Sequence, residues 1–217
     1  MTADNRPRTP GFLVGFVAEA RIARRSGWPV GIGGGSTQGA ARAAERLIRD
    51  GATGLVSFGL AGGLDPTLPA GTLLVPEAVI SGGQTWQTDP ALSTRLGGTT
   101  GHRCFSVDHI VASAAEKQQL WRDTGASAVD MESGAAATAA CAAGVPFAVL
   151  RAICDPAGRE LPPAALIALD AAGRLALARV AWSVLTAPGQ IGPLTALARD
   201  ASSARRALRS RVDMLGL

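Results

Sequence analysis

Three short apolar runs in this chain each lead into a carboxylate. Gly11–Ala18 (GFLVGFVA) ends at Glu19, Ala128–Met131 (AVDM) at Glu132, and Pro146–Cys154 (PFAVLRAIC) at Asp155. Runs of this length, bounded by glycine and proline, read as buried strands of a parallel sheet. Ligands of such sheets bind outside the carboxyl ends of the strands. Three acids delivered to one rim would form a pocket able to bind hydroxyls and move protons.

The remaining pattern alternates strand and helix, which places the chain in the α/β class with one sheet. Strands are expected at Pro29–Ile32, Thr53–Gly59 and Thr72–Ile80, the last with Pro76 marking an edge or bulge. Leu60–Pro66 reads as a tight turn, and residues 81–104 as loops or irregular strands. Glu19–Arg25 is open between helix and loop. Helices are expected at Gln38–Asp50, closed by Gly51, and at Ser113–Thr124, with Ser113 as N-cap, Glu116 at the capping-box position and Gly125 as terminator. Ser127–Met131 reads as a strand, followed by helices at Glu132–Ala143, Pro163–Leu185 and Leu194–Leu215. Residues 11–217 form a single domain in this reading, and residues 1–10 a disordered lead-in.

Composition narrows the function. Aromatics make up 4% of the chain and tyrosine is absent, so Ala, Leu, Val and Ile must build the core. The net charge of +4 comes mainly from arginines near the two ends, while the middle is close to neutral. That distribution argues against nucleic-acid binding. Three scattered cysteines and two histidines assemble no zinc pattern, so no metal and no cofactor are expected, and the reading is a reduced cytoplasmic protein. The uncharged stretch Ser133–Leu150 is broken by Gly144-Val-Pro146, which favours a buried helix and strand over a membrane span.

Several motifs admit two readings. Gly33-Gly34-Gly35-Ser36-Thr37 before a helix could cradle an anion, with Arg21 nearby in sequence, or could be a flexible turn. Ala61-Gly62-Gly63 either lets a ligand approach the backbone or supplies a positive-φ turn. Glu132 either caps a helix or accepts the two adjacent hydroxyls of a ribose, with Met131 against the sugar. Asp155 before Pro156 is either an Asx-turn residue or an acid at a dry rim whose pKa burial raises. Arg151, inside an apolar strand, needs a carboxylate partner. His102 and His109 read as surface or packing residues, and Ile110 joins the substrate-binding candidates.

Ser57-Phe-Gly-Leu-Ala-Gly-Gly-Leu64, Val129-Asp-Met-Glu-Ser-Gly-Ala135 and Val149-Leu-Arg-Ala-Ile-Cys-Asp155 resemble, in order and spacing, three segments of one enzyme family. It comprises the purine nucleoside phosphorylases and the methylthioadenosine/adenosylhomocysteine nucleosidases. The resemblance covers roughly residues 11–185. It implies a three-layer α/β/α sandwich around a mixed, partly barrel-like sheet, and a homo-oligomer. It implies Glu132 and Met131 on the ribose, Asp155 on N7 of the purine, Glu19 activating the attacking water, and Ala61, Gly62 and Gly63 beside base and sugar.

The chain departs from the family pattern where phosphorolytic members carry an Arg (here Ser57) and where many carry a Ser (here Leu60). Cys154 replaces the commoner Ser before the acid. These changes weaken phosphate as nucleophile, and phosphate stays open as a co-substrate. Within the family the chain is most similar to the hopanoid-associated branch, through SFG-x-AGGLDP and VDMES-G. That similarity implies release of adenine from adenosylhopane, a lipid-linked nucleoside. The alternatives are a methylthioadenosine/adenosylhomocysteine nucleosidase and a non-catalytic nucleoside-binding module. The last helix carries an apolar stripe (Leu194, Leu197, Ala201, Leu208, Val212, Leu215) flanked by arginines. Such a stripe packs on the domain or lies against the inner face of a membrane.

Overall fold

The computed structural model describes residues 9–166 and 188–216. Among the described residues nine strands form one mixed sheet: β1 (Gly11–Val14), β2 (Val30–Ile32), β3 (Leu55–Gly63), β4 (Leu73–Leu74), β5 (Ala78–Ser81), β6 (Gln84–Gln87), β7 (Arg103–Ser106), β8 (Ala128–Asp130) and β9 (Phe147–Asp155). The main path runs β2-β1-β3-β8-β7-β5-β6, and β9 pairs with β3 and β4. The helices are α1 (Val17–Ala23), α2 (Thr37–Arg49), α3 (Pro90–Arg95), α4 (Ala114–Thr124), α5 (Ser133–Ala143), α6 (Pro163–Leu166) and α7 (Ile191–Asp213).

The continuous apolar runs are explained by burial on both faces. Successive strand residues point to opposite sides. Leu13, Leu55 and Val149 meet Ala40, Ala44 and Leu47 of α2 and Ala136 and Ala140 of α5. Their neighbours Phe12, Val14, Val56, Phe58, Ala148 and Leu150 meet Ala20 and Ile22 of α1, Leu92 of α3, and Ala204, Leu208 and Val212 of α7. The expected α/β/α sandwich is therefore what the chain forms. The small side chains of α5 let that helix lie close to both α2 and the sheet.

β3 is the central ruler. Residues 55–58 lie between β1 and β9, both parallel to it, while Gly62 and Gly63 pair antiparallel with β8. The segment expected as a tight turn after Gly59 is thus strand as far as Gly63. Its glycines disguised it, because they weaken the usual strand signal. Thr72–Ile80 splits into β4 and β5 around Pro76, as a proline without an N–H requires. Residues 81–104, expected to be irregular, hold β6, the start of β7, and α3, which Asp89 caps through Leu92 N at 2.7 Å. The first strand stops at Val14, and Glu19 lies one turn into α1 rather than at a strand end.

Ser113 caps α4 by accepting from Glu116 N at 3.1 Å, but the Glu116 carboxylate turns away to His109. The apolar face of α7 is covered by the domain through Ala204, Leu208 and Val212, so those residues do not face a membrane. Among the described residues no helix is long and apolar enough to cross one. The expected helix Pro163–Leu185 is seen as Pro163–Leu166, and the rest lies outside the described residues, as does most of the expected lead-in.

Candidate active site

Two of the three expected acids converge on Gly15. A methyl group built on Gly15 would lie 2.7 Å from Glu132 Oε1 and 3.3 Å from Glu19 Oε2. A Cβ on Gly59, which has φ +152°, would collide with the Glu19 carboxylate. Gly15 and Gly59 are needed because side chains there would occupy the space of the acids. Glu19 is fixed by two main-chain donors, Phe16 N to Oε2 at 2.9 Å and Leu60 N to Oε1 at 2.8 Å.

Glu132 opens α5 but does not cap it. Asp130 does, accepting from the backbone N–H of Glu132 at 3.2 Å and of Ser133 at 3.0 Å. This frees the Glu132 carboxylate, whose Oε2 accepts from Arg151 Nη2 at 3.1 Å. Arg151 thereby finds the partner its apolar strand demanded, and a second one. Its Nε lies 2.8 Å from Asp130 Oδ2, an ion pair whose angle falls short of a hydrogen bond. Nη2 also donates to Ser57 Oγ at 2.8 Å and Nη1 to the Leu60 carbonyl at 3.2 Å. Ser133 donates to Asp130, and its hydroxyl lies 2.9 Å from that of Ser57.

The third acid lies further along β3. The β3–β9 register slips between Ala61 and Gly62, so that Asp155, rather than Cys154, stands opposite Gly62. Bulges of this kind re-aim a side chain. A Cβ on Gly62 would lie 3.3 Å from Asp155 Oδ2 and 3.1 Å from Val129 Cγ1 of β8. Two to three residues of strand separate Gly62 from the Gly59–Leu60 segment that holds Glu19. At strand rise that is about 7–10 Å, a span suited to one nucleoside reaching from sugar to base.

Burial dominates the electrostatics. It raises the pKa of Glu19 against the opposing pull of the Arg151 charge and of its backbone donors. It pushes Glu132 up to about 7, with Arg151 opposing and Asp130 and Glu19 adding to the rise. It raises Asp155 too, opposed by Lys117. Lys117, on α4, is fully buried and places Nζ 2.7 Å from Asp155 Oδ2. Burial and the adjacent Asp155 charge hold the Cys154 thiol well above its usual range, so Sγ remains a donor to Asp155 Oδ1 at 3.0 Å.

These shifts carry a stability prediction. A carboxyl whose folded pKa is raised contributes stability that is complete below its unfolded value and is lost as pH rises through the folded one. For Glu132 that window runs from 4.5 to about 7. The free protein is therefore expected to melt lower at pH 8 than at pH 5, by on the order of 3 kcal/mol from this group. Thermal unfolding across that range checks the sign.

Other expected residues scatter. Ala61 is buried in the core, Met131 is half-buried beside Glu132, and Ile110 is 49% exposed in the segment after β7. The Gly33–Thr37 loop folds back on the first strand. Gly33 N donates to Val14 O and Gly34 N to Gly15 O, both at 2.8 Å, while Ser36 caps α2 by accepting from Gly39 N. Gly35 packs against the Phe16 ring, and Arg21 is exposed on α1. The loop's first two N–H groups are thus committed, which leaves the anion cradle poorly furnished. His109 pairs with Asp108 and Glu116 on the surface, and His102 with Ser127. Among the described residues no cluster of His, Cys, Asp and Glu could hold a metal ion. A groove of about 760 Å³ runs between α2, α5 and the β5–β6 hairpin, and none of the three acids lines it.

Sequence reasoning missed Asp130, Lys117 and the two glycines that clear space for the acids. Asp130 was legible as a charge in an apolar run, complementary to Arg151. Lys117 is the chain's only lysine, a signal of composition rather than of motif.

Comparison with known proteins identifies the family. The family description of the phosphorylase superfamily matches residues 25–98 and 94–186. The chain belongs to the phosphorylase superfamily. This membership supports the expectation of an enzyme, a nucleosidase or phosphorylase. Solved structures share the fold of this superfamily member over nearly its whole length. Futalosine hydrolase of Helicobacter pylori strain 26695 is 18% identical, with TM-score 0.69 over 95% of this chain and 98% of that one. The 5′-methylthioadenosine/S-adenosylhomocysteine nucleosidase of Helicobacter pylori, solved with butyl-thio-DADMe-Immucillin-A, is 18% identical, with TM-score 0.67 and the same coverages. The S-adenosylhomocysteine nucleosidase of Streptococcus pyogenes, in complex with 5-methylthiotubericidin, is 18% identical, with TM-score 0.62 over 94% of this chain and 97% of that one. No curated protein matches the sequence.

Proposed function

We propose that this chain hydrolyses the N-glycosidic bond of an adenine nucleoside. Glu132 accepts hydroxyls of the ribose, with Met131 beside the sugar. Asp155 delivers a proton to the base, and Glu19 takes one from the attacking water. The observation that carries the reading is the run of three buried acids along β3, two around Gly15 and one opposite Gly62. Breaking this bond develops positive charge on the sugar and negative charge on the leaving base. Carboxylates beside the sugar and a carboxylic acid at the base oppose those charges where they form.

Water is favoured over phosphate by the commitments of Arg151. All three of its guanidinium nitrogens face acceptors: Asp130, Glu132, Ser57 and the Leu60 carbonyl. A phosphate would enter beside two carboxylates with that cation already neutralised, and like charges at such range repel strongly. Base release is accordingly expected to be unchanged when phosphate is omitted, and the ribosyl product to carry a free hydroxyl at C1′. Glu19→Gln is expected to lower kcat by about 10²–10³-fold. A strict phosphate requirement with a pentose 1-phosphate product would sink the hydrolytic reading.

For the 5′ substituent we infer a bulky apolar group, adenosylhopane being the specific substrate assigned. Its support is the SFG-x-AGGLDP and VDMES-G segments, together with the exposed Ile110 near the end of β7. The rival is a methylthioadenosine/adenosylhomocysteine nucleosidase, which the 5′-thio ligands in the similar structures favour. Relative kcat/KM on adenosylhopane and on 5′-methylthioadenosine separates the two. Tight adenosine binding with no turnover of either would instead favour a non-catalytic module.

A further inference from the structure

We propose that Lys117 is a positioning residue for Asp155: from α4 it holds the carboxyl at the end of β9 and stabilises the carboxylate left when the proton has gone to the base. The inference rests on the hydrolytic reading above and adds to it a residue from outside the three family segments.

The geometry is specific. Lys117 Nζ donates to the carbonyls of Arg159 at 2.9 Å, Asp155 at 3.0 Å and Pro156 at 3.3 Å, besides lying 2.7 Å from Asp155 Oδ2. A fully buried ammonium survives only if its donors are satisfied. Here main-chain carbonyls furnish three of the four acceptors. The cation is therefore held in place whether Asp155 is protonated or not. That is the property needed of a charge that must act on a proton in transit.

The step balances simply. The proton on Asp155 passes to a ring nitrogen of the base as the electron pair of the C1′–N bond moves onto the base. Water adds to C1′ and gives a proton to Glu19. The Asp155 carboxylate then lies against the ammonium, and exchange with solvent returns both acids to their starting states. Without Lys117 the carboxylate would form in a desolvated site with little to oppose its charge, so Asp155 would be a weaker acid. The other groups facing Asp155 are the Cys154 thiol on its own strand and, further off, Asp200 of α7, which is itself paired with Arg159 at 2.6 Å. Neither supplies a replacement cation.

The test is the pH profile of kcat in wild type, Lys117→Met and Lys117→Arg. In Lys117→Met the plateau should fall about 10–100-fold and the high-pH limb should move upward by about one unit or more. KM should change less than about threefold, because the sugar contacts are untouched. Lys117→Arg should keep the limb near its wild-type position. A Lys117→Met enzyme with an unmoved limb, whatever its stability, overturns the inference. Should that variant not fold, the wild type decides. Labelled with ¹⁵N-lysine, it gives one side-chain signal, which should shift on saturation with adenine, and a signal indifferent to adenine overturns the inference. Wild type that releases no base from any nucleoside would instead defeat the hydrolytic reading, while the lysine signal still reports on the pairing.

Discussion

Asp155→Asn is expected to lower the rate of base release by about 10²–10⁴-fold while leaving the protein folded. The amide is nearly isosteric, and its oxygen can still accept from Lys117, so the 2.7 Å contact survives in form. The amide has no acidic proton to give. The loss should fall on kcat, because the group acts as the bond to the base breaks and contributes little before then. A substrate whose leaving group needs no protonation, such as a nitrophenyl riboside, should recover most of the rate. Equal losses on both substrates would mean that Asp155 holds the site together instead of donating a proton.

Arg151→Met should destabilise the protein by about 3–5 kcal/mol, the usual cost of removing one member of a buried ion cluster. The reason is what the arginine leaves behind. Asp130 and Glu132 lose their common cation, and the Leu60 carbonyl and Ser57 hydroxyl each lose a donor. The size of the effect should depend on pH. Stripped of the guanidinium that opposes its rise, the Glu132 carboxyl gains further in pKa, so the stability it allows is present at low pH and lost as pH rises. Melting of wild type and variant at pH 5 and pH 8 tests this, and the gap between them should be wider at pH 8. A drop that is constant with pH would assign Arg151 a packing role alone.

The sequence disclosed the layers and much of the chemistry, and the reason lies in the strands. Runs such as Pro146–Cys154 are apolar throughout because both faces are covered, so length and composition located them. Glu132 and Asp155 stood out at their ends. What could not be read was register. The slip that sets Asp155 opposite Gly62 is a property of two paired strands, and neither sequence contains it alone. The continuation of β3 through Leu60–Gly63 was hidden by its glycines, which are there because side chains from other elements fill the space. Lys117 was invisible as a functional residue because its partner lies across the fold, 38 residues away in sequence. Helix α4 read only as a helix with a good N-cap. Only tertiary packing buries its fourth residue.

The most direct test of the whole account is a structure of the protein bound to a non-hydrolysable adenosine analogue. One ligand should bridge the site, with Glu132 within hydrogen-bond distance of both ribose hydroxyls, Asp155 at the base and Glu19 below C1′. An analogue seated in the groove between α2 and α5, or one touching Glu132 without reaching Asp155, would contradict it.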